Sequence, residues 1–402
     1  MRVLADDLTG AVEAAAALQR LDPEPTVVLG PARRAQRWVE PGGVAAVDLD
    51  IRHTTPDDAA AAVAAWEPWC GTDPAFVKVD SLLRGNLPAL LAALEHAGRP
   101  IVFAPTHPGL GRIVRNGRPL VAGRALGFVE AWSYEHSPAP DALGDLLAAS
   151  SRHALLPLGA VRAPGLRRVV ADLLAHHAVL CCDAETDADL RAIASAALPL
   201  PRVRLVGSAG LAQALAEALA PPVSPPAPPP GAARVLVVNG SRERSAAAQV
   251  ARLAAAGTPH VAIAAAGTAA AYQAQARAAL SAGGAVALSL AGAFAGEPAP
   301  AERLATIVGA LVARDREVAL VALGGRTSRA ILDRLDSTSL TVLRTLGDGA
   351  IECRTADERR VVTRPGSFGP PDHLLQILGH LRSTTNEEMS KDDAGGARCH
   401  DR

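Results

Sequence analysis

Three short stretches concentrate residues able to do chemistry, and each follows an apolar run directly. ADDLTGA at 5–11 places two carboxylates, Asp6 and Asp7, next to Thr9. VDLDIRHTTPDDA at 47–59 supplies Asp48, Asp50 and Arg52, and KVDSLLRGN at 78–86 crowds Lys78, Asp80, Ser81, Arg84 and Asn86 into nine residues. Guanidinium and ammonium groups hold an anionic small molecule and keep a neighbouring aspartate ionised. An aspartate so held can orient or deprotonate a hydroxyl. Plainer uses compete. One Asp, or Thr9, is enough to cap a helix starting near Gly10, Asp57 or Thr55 can start the next helix, and 78–86 can be a surface ion-pair cluster. The 5–11 stretch balances between cap and site, and 47–59 reads locally as a polar loop. The charge density of 78–86 beside an apolar run favours a site. In APTHPGLGR, 104–112, two prolines and two glycines fix a loop in which Arg112 can act as a ligand. His107 reads there as a hydrogen-bonder of the loop rather than a base.

The second half carries glycine turns instead of charge clusters. VLVVNGSRERSAAAQV at 235–250 and LVALGGRTSRAILDRL at 320–335 each read as strand, glycine turn, helix. Such turns let backbone N–H groups approach a phosphate at a helix N-terminus. Ser241 and Thr327 add hydroxyls for phosphate, or for water on Mg²⁺. Neither turn is GxxxxGK[ST] or GxGxxG. RPGSFG at 364–369 can close over an adenine or a phosphate, and GSAGLA at 207–212 reads as a structural turn.

The elements that must position these residues alternate. Strands are predicted at 2–5, 26–29, 44–48, 75–79, 101–104, 178–183 and 203–206, with helices near 10–20, 57–67, 86–97, 141–150, 187–197 and 210–220. PPVSPPAPPPG at 221–231 cannot lie in a helix or a central strand and reads as a stiff linker. Beyond it the alternation resumes, with strands at 234–238, 260–264, 285–290, 318–323 and 361–363 and helices at 245–256, 268–281, 300–314 and 327–335. The fold class is therefore α/β, with two domains, each a largely parallel sheet flanked by helices. The polar, aperiodic residues 383–402 read as a disordered tail. In 402 residues, 40 Lys+Arg against 41 Asp+Glu leave a net charge of −1, which argues against nucleic acid or a membrane surface as partner. Five cysteines, Cys70, Cys181, Cys182, Cys353 and Cys399, with no CxxC pair, fit reduced thiols in a cytoplasmic protein. MRVLADDLTG, an apolar run cut by two aspartates, does not read as a signal peptide.

Taken in order, ADDLTGA, DLDIR, KVDSLLRGN, APTHPGLGR, CDAETDADL, VGSAGLA, NGS, GGRTS and RPGSFG resemble the four-carbon acid sugar kinase family, from residue 3 to about 380. The resemblance implies ATP-dependent phosphorylation of a hydroxyl of a small sugar acid. It implies a sugar-acid-binding domain at 1–220, a linker at 221–231 and a nucleotide-binding domain at 232–382. Carried over by residue, it implies a substrate site at Asp7, Arg52, Lys78, Asp80, Ser81 and Arg84; Asp6 adjoins it, and Asp7 and Asp80, both at predicted strand ends, are the catalytic candidates, with Asp7 favoured. It implies a site for ATP with Mg²⁺ at Ser241, Gly324, Gly325, Arg326, Thr327 and Gly366; no metal ligand is assigned. The sequence departs from the family at Arg326, Arg364, Leu90, Ile51 and Glu13. A binding-only sensor remains open, and a homodimer is compatible with the sequence. A nicotinamide-dependent oxidoreductase is disfavoured, because no GxGxxG follows a strand.

Overall fold

The computed structural model describes residues 1–30, 43–135, 137–221, 229–241, 243–265, 267–291, 300–313, 315–366 and 368–383. The predicted linker and tail fall largely outside the described residues, at 222–228 and 384–402. The described residues group into two compact units, those within 1–224 with Thr338–Val342, and those within 225–337 with 343 onward.

The first unit begins β1 (Arg2–Ala5), α1 (Leu8–Ala17), β2 (Thr26–Leu29), β3 (Ala45–Asp48), α2 (Pro56–Cys70), β4 (Ala75–Lys78), α3 (Leu87–His96) and β5 (Ile101–Ala104). A small antiparallel sheet follows, β6 (Arg112–Arg115), β7 (Arg118–Val121) and β8 (Arg124–Ala125). The unit continues with β9 (His153–Leu156), α4 (Leu158–Val161), α5 (Leu166–His176), β10 (Val179–Cys182), α6 (Asp187–Ala197), β11 (Arg204–Gly207) and α7 (Ala209–Leu219). Its main sheet runs β2-β3-β1-β4-β11-β5-β10-β9, parallel throughout, and Ser339–Thr341 add antiparallel to β2. The apolar runs of the central strands follow from burial on both faces. The adjacent Cys181 and Cys182 are core residues of β10, as their apolar setting predicts.

The second unit comprises β12 (Arg234–Asn239), α8 (Arg244–Ala255), β13 (His260–Ile263), α9 (Ala269–Gly283), β14 (Ala285–Leu290), α10 (Pro300–Val312), β15 (Val318–Leu323), α11 (Gly325–Arg334), the last residues of β16 (Ser339–Thr345), whose start up to Val342 belongs to the first unit, β17 (Ile351–Thr355), β18 (Arg360–Arg364) and α12 (His373–Arg382). Strands β13-β14-β12-β15-β18 are parallel, and β17 pairs antiparallel with β18.

The helix expected at 141–150 does not form. Only a 3-10 turn, Leu143–Leu146, appears, because Gly144 interrupts it and the Asp145 carboxylate folds back to accept from the N–H groups of Asp141 and Ala142. Strands β6 to β9, β16 and β17 and helices α4, α5 and α12 are not among the expected elements.

Strand β11 is tied to α2 by a buried ion pair. The Arg204 guanidinium, with no solvent exposure, donates to Glu67 Oε1 at 2.6 Å and to the carbonyls of Gly71 and Asp73. Arg99 donates to Glu67 Oε2 at 2.9 Å. Removing the shared carboxylate strands two cations, one of them wholly buried. Glu67→Gln should therefore destabilise the first unit by about 3 kcal/mol in denaturant unfolding, and an unchanged midpoint would contradict this account.

Candidate functional site

The carboxyl ends of five neighbouring parallel strands lie in register. Ala5 of β1 stands beside Asp48 of β3 and Lys78 of β4, Lys78 beside Gly207 of β11, and Gly207 beside Ala104 of β5. The segments that leave these strands must meet on one edge of the sheet, where open α/β sheets bind ligands.

Arg52 is the hub. Its Nε and Nη2 donate to Asp6 Oδ2 and Oδ1 at 3.0 and 2.9 Å, and its Nη1 donates to Asp7 Oδ2 at 2.8 Å. The RGN end of the third motif holds Arg52 in place. The Asn86 amide donates to the carbonyls of Ile51 and Thr54, at 2.7 and 2.8 Å. Gly85, at φ +81°, lies so close that a Cβ there would come within 2.8 Å of Arg52 Cγ. Asp7 is also the N-cap of α1, its Oδ1 accepting from Gly10 N at 2.8 Å and its Oδ2 from Thr9 Oγ1 at 2.7 Å. Cap and cluster member are thus the same residue.

Lys78 is buried, with its Nζ 3.1 Å from Glu13 Oε2. Arg84 Nε donates to Asp80 Oδ2 at 2.6 Å across a turn that holds buried Leu83 at φ +61°. A left-handed branched residue costs on the order of 1 kcal/mol, and the turn lays both the Arg84 backbone N–H and its guanidinium on Asp80. Arg112 reaches over from β6 and donates to Ser81 Oγ. Asp48 turns inward to accept from Asp50 N at 2.9 Å, so this pair shapes the loop before Arg52.

The electrostatics separate the aspartates. Burial pushes the Asp7 carboxyl up, but Arg52, Lys78, the Thr9 hydroxyl and the Gly10 N–H hold it below the usual carboxylate range. Burial dominates at Asp6 and raises its pKa, with Arg52 opposing. Asp80 is also buried, yet Arg84 and Arg52 hold it well below the ordinary range. Lys78 is penalised by burial but stays high through Glu13, Asp6 and Asp7.

Asp6, Asp7, Arg52, Lys78, Asp80 and Arg84 therefore lie in separate ion-paired groups near enough to feel one another's charge, and Ser81 joins that edge through Arg112. In sequence Asp7 has little competing cation nearby; in space Arg52 and Lys78 both act on it. Glu13 was read only as a departure from the family, yet it is the partner of Lys78. Its signal was a lone charge in the otherwise apolar LTGAVEAAAA helix.

In the second unit Asn239 of β12 stands beside Leu323 of β15, and Leu323 beside Arg364 of β18, so three loops leave adjacent parallel strands together. They touch closely. A Cβ on Gly366 would fall 2.0 Å from Ser241 Oγ, and one on Gly240 would fall 1.9 Å from Thr327 Oγ1. Ser241 is fixed by Asn239 Oδ1, which accepts from its N–H at 3.0 Å, and Ser245 Oγ donates to the Gly366 carbonyl at 3.1 Å. Gly324 is the N-cap of α11; Thr327 is buried and Arg326 exposed in its first turn. Arg364 is wholly buried. Its guanidinium donates to the carbonyls of Pro365 and Phe368 and to Gln249 Oε1, bracing the loop. The described residues contain no group of three or more His, Cys, Asp or Glu able to grip a metal. None of the described helices is long and apolar enough to cross a membrane.

Comparison with known proteins assigns residues 1–215 to a sugar-binding N-terminal domain and residues 236–374 to a nucleotide-binding C-terminal domain. A D-threonate kinase of Cupriavidus necator is 37% identical over 220 residues, and one of Salmonella typhimurium is 33% identical over 226. These matches span 53% and 54% of this chain and 53% of each relative, about half the length of the curated relatives. The crystal structure of a Haemophilus influenzae protein shares the fold, with TM-score 0.72 and 20% identity over 95% of this chain and all of the other.

The contact between Gly366 and Ser241 leaves no room for a side chain. Gly366→Val should raise the dissociation constant for a non-hydrolysable ATP analogue by about tenfold in calorimetry, the scale of an overpacking cost; unchanged affinity would remove this loop from any nucleotide site.

Proposed function

The chain belongs to the four-carbon acid sugar kinase family, and on that premise we propose that it transfers a phosphoryl group from ATP to a hydroxyl of a small, four-carbon sugar acid. The observation that carries the reading is the set of ion pairs at the strand ends of the first unit, where Arg52 pairs with Asp6 and Asp7, Lys78 with Glu13, and Arg84 with Asp80. A small polyhydroxy acid needs cations for its carboxylate and acceptors for its hydroxyls, and this edge offers both in one place.

Asp7 is the residue for the reacting hydroxyl. Its depressed pKa makes it a weak proton store but a dependable anion. That suits phosphoryl transfer, in which positioning and charge do most of the catalysis. Asp80, tied to Arg84, is a fixed charge, while Lys78 and Arg52 set the field around the acid and Ser81 adds a hydroxyl. In the second unit the converging loops fit a triphosphate. Ser241, Gly324, Gly325, Arg326, Thr327 and Gly366 would hold it, the close backbone approach and the α11 N-terminus supplying N–H donors. Mg²⁺ arriving on the triphosphate would neutralise charge there when bound. The relatives' name supports threonate as the first acid to test. Four buried thiols, Cys70, Cys181, Cys182 and Cys353, suit a reducing, cytoplasmic setting.

Asparagine still caps a helix, so Asp7→Asn tests the charge with the fold kept. It should lower kcat by about 10²–10⁴-fold on the true substrate. Arg52→Ala would leave two carboxylates without their cation, so Arg52→Lys is the cleaner probe. It should mainly raise KM, since the planar fork is lost and the charge kept. Near-native kcat in Asp7→Asn would move the role to Asp6 or Asp80, and the absence of ATP turnover with every four-carbon aldonate would favour a binding-only protein.

A further inference from the structure

The loop after β5 holds a histidine whose ring none of the cluster's ion pairs uses. His107 and Arg112 form an antiparallel bridge in which each backbone N–H donates to the other's carbonyl, at 2.8 and 3.1 Å. Residues directly opposed in this way send their side chains to the same face of the ribbon. The Arg112 guanidinium reaches Ser81 Oγ, so the His107 imidazole is directed to the same edge of the sheet. Its electrostatic neighbours come from four elements and agree: Glu13 of α1, Lys78 of β4, Arg112 of β6 and Asp187 of α6.

The loop is built to hold this orientation. Ser208, fully buried at the start of α7, donates to the Thr106 carbonyl at 2.6 Å, and Thr106 Oγ1 donates to the Ala184 carbonyl at 3.1 Å. Gly210 lies within reach of the His107 backbone, where a Cβ would come within 3.3 Å of His107 Cα. The imidazole itself is not part of that bracing. Its Nδ1 is buried and has no hydrogen-bond partner. Buried polar atoms are normally satisfied; Nδ1 is closed off, so it is Nε2, unbonded within the chain and not closed off, that is open to a partner supplied from outside.

We propose that His107 is a further substrate-contacting residue, and that its imidazole hydrogen-bonds a hydroxyl of the bound sugar acid. The proposal rests on the sugar-acid reading given above. Burial lowers the pKa of the ring, with Glu13 opposing, and a neutral imidazole offers one donor and one acceptor. Its open nitrogen, donor or acceptor according to tautomer, suits a hydroxyl, which can take either part, whereas a carboxylate is better served by the neighbouring guanidinium and ammonium groups.

The test is calorimetric titration of the full chain with threonate and erythronate, and separately with a non-hydrolysable ATP analogue. His107→Leu should raise the dissociation constant for the acid about five- to tenfold and leave the nucleotide constant unchanged; His107→Gln, which keeps a polar head, should recover part of the loss. Equal acid affinity in His107→Leu and the unaltered protein overturns the assignment while leaving the sugar-acid reading intact. Failure of the unaltered protein to bind either acid sinks that reading, and this proposal with it. Should His107→Leu not fold, the unaltered protein decides by NMR with histidine-selective labelling. The His107 ring resonance, identified by its loss in His107→Gln, should move when the acid saturates the protein, and an unmoved resonance overturns the proposal.

Discussion

The first unit is organised around one constraint: Arg52 must satisfy two adjacent carboxylates at once, Asp6 buried and Asp7 half-buried. Taking charges out of water costs several kcal/mol per ion, and only close, well-directed partners offset it. The guanidinium fork meets this need at Asp6 and Asp7 with contacts of 2.8 to 3.0 Å. Much of the local backbone follows from keeping that fork in place. The N–H groups of Ile51 and Arg52 both donate to the Asp6 carbonyl, Asn86 ties the same loop from the other side, and Gly85 gives way to the Arg52 stem. A lysine could supply the charge but not the geometry.

One guanidinium shared by two carboxylates leaves them in different states. Asp7 gains a helix N-terminus, a hydroxyl, a backbone N–H and Lys78 besides Arg52, and its pKa falls. Asp6 relies chiefly on Arg52 against burial, and its pKa rises. Carboxylates pushed apart in this way take on different tasks. On the proposed reading the permanent anion meets the substrate hydroxyl, and Asp6 fastens Arg52 to the strand.

The sheet and the site were legible in the sequence to different depths. Runs such as TVVL, IVFA and VLCC mark buried parallel strands, because both faces demand apolar residues. The register of those strands then gathers residues 6–7, 52, 78–84 and 107–112 on one edge, although they are scattered along the chain. Pairings were not legible. Nothing local to Glu13 announces Lys78, 65 residues later, and nothing local to Arg112 announces Ser81. The small antiparallel sheet did leave a sign, since Asn116-Gly117 is a favoured two-residue hairpin turn and both residues take positive φ. The false helix at 141–150 shows the opposite error: helix-forming composition lost to a single carboxylate capping its own turn.

The two units prepare their edges by opposite means. The first crowds charge against charge. The second removes side chains, so that Gly240 packs on Thr327 and Gly366 on Ser241, contacts that a methyl group at either glycine would break. A cradle made by absence needs its loops held from behind, and Arg364 does this. Its fork spans the carbonyls of Pro365 and Phe368 and the Gln249 amide oxygen, while Gln249 Nε2 donates to Phe368 and Gly369. Its pKa, lowered to about 10 by burial, still leaves it cationic near neutrality. A lysine at 364 could not reach three such acceptors with fixed geometry. The departure at 364 is therefore a bracing change behind the loop, and it leaves the face of the cradle unaltered. Arg326 differs, because it is exposed in the first turn of α11. On the proposed reading, it alone of the two departures adds charge on the side of the triphosphate.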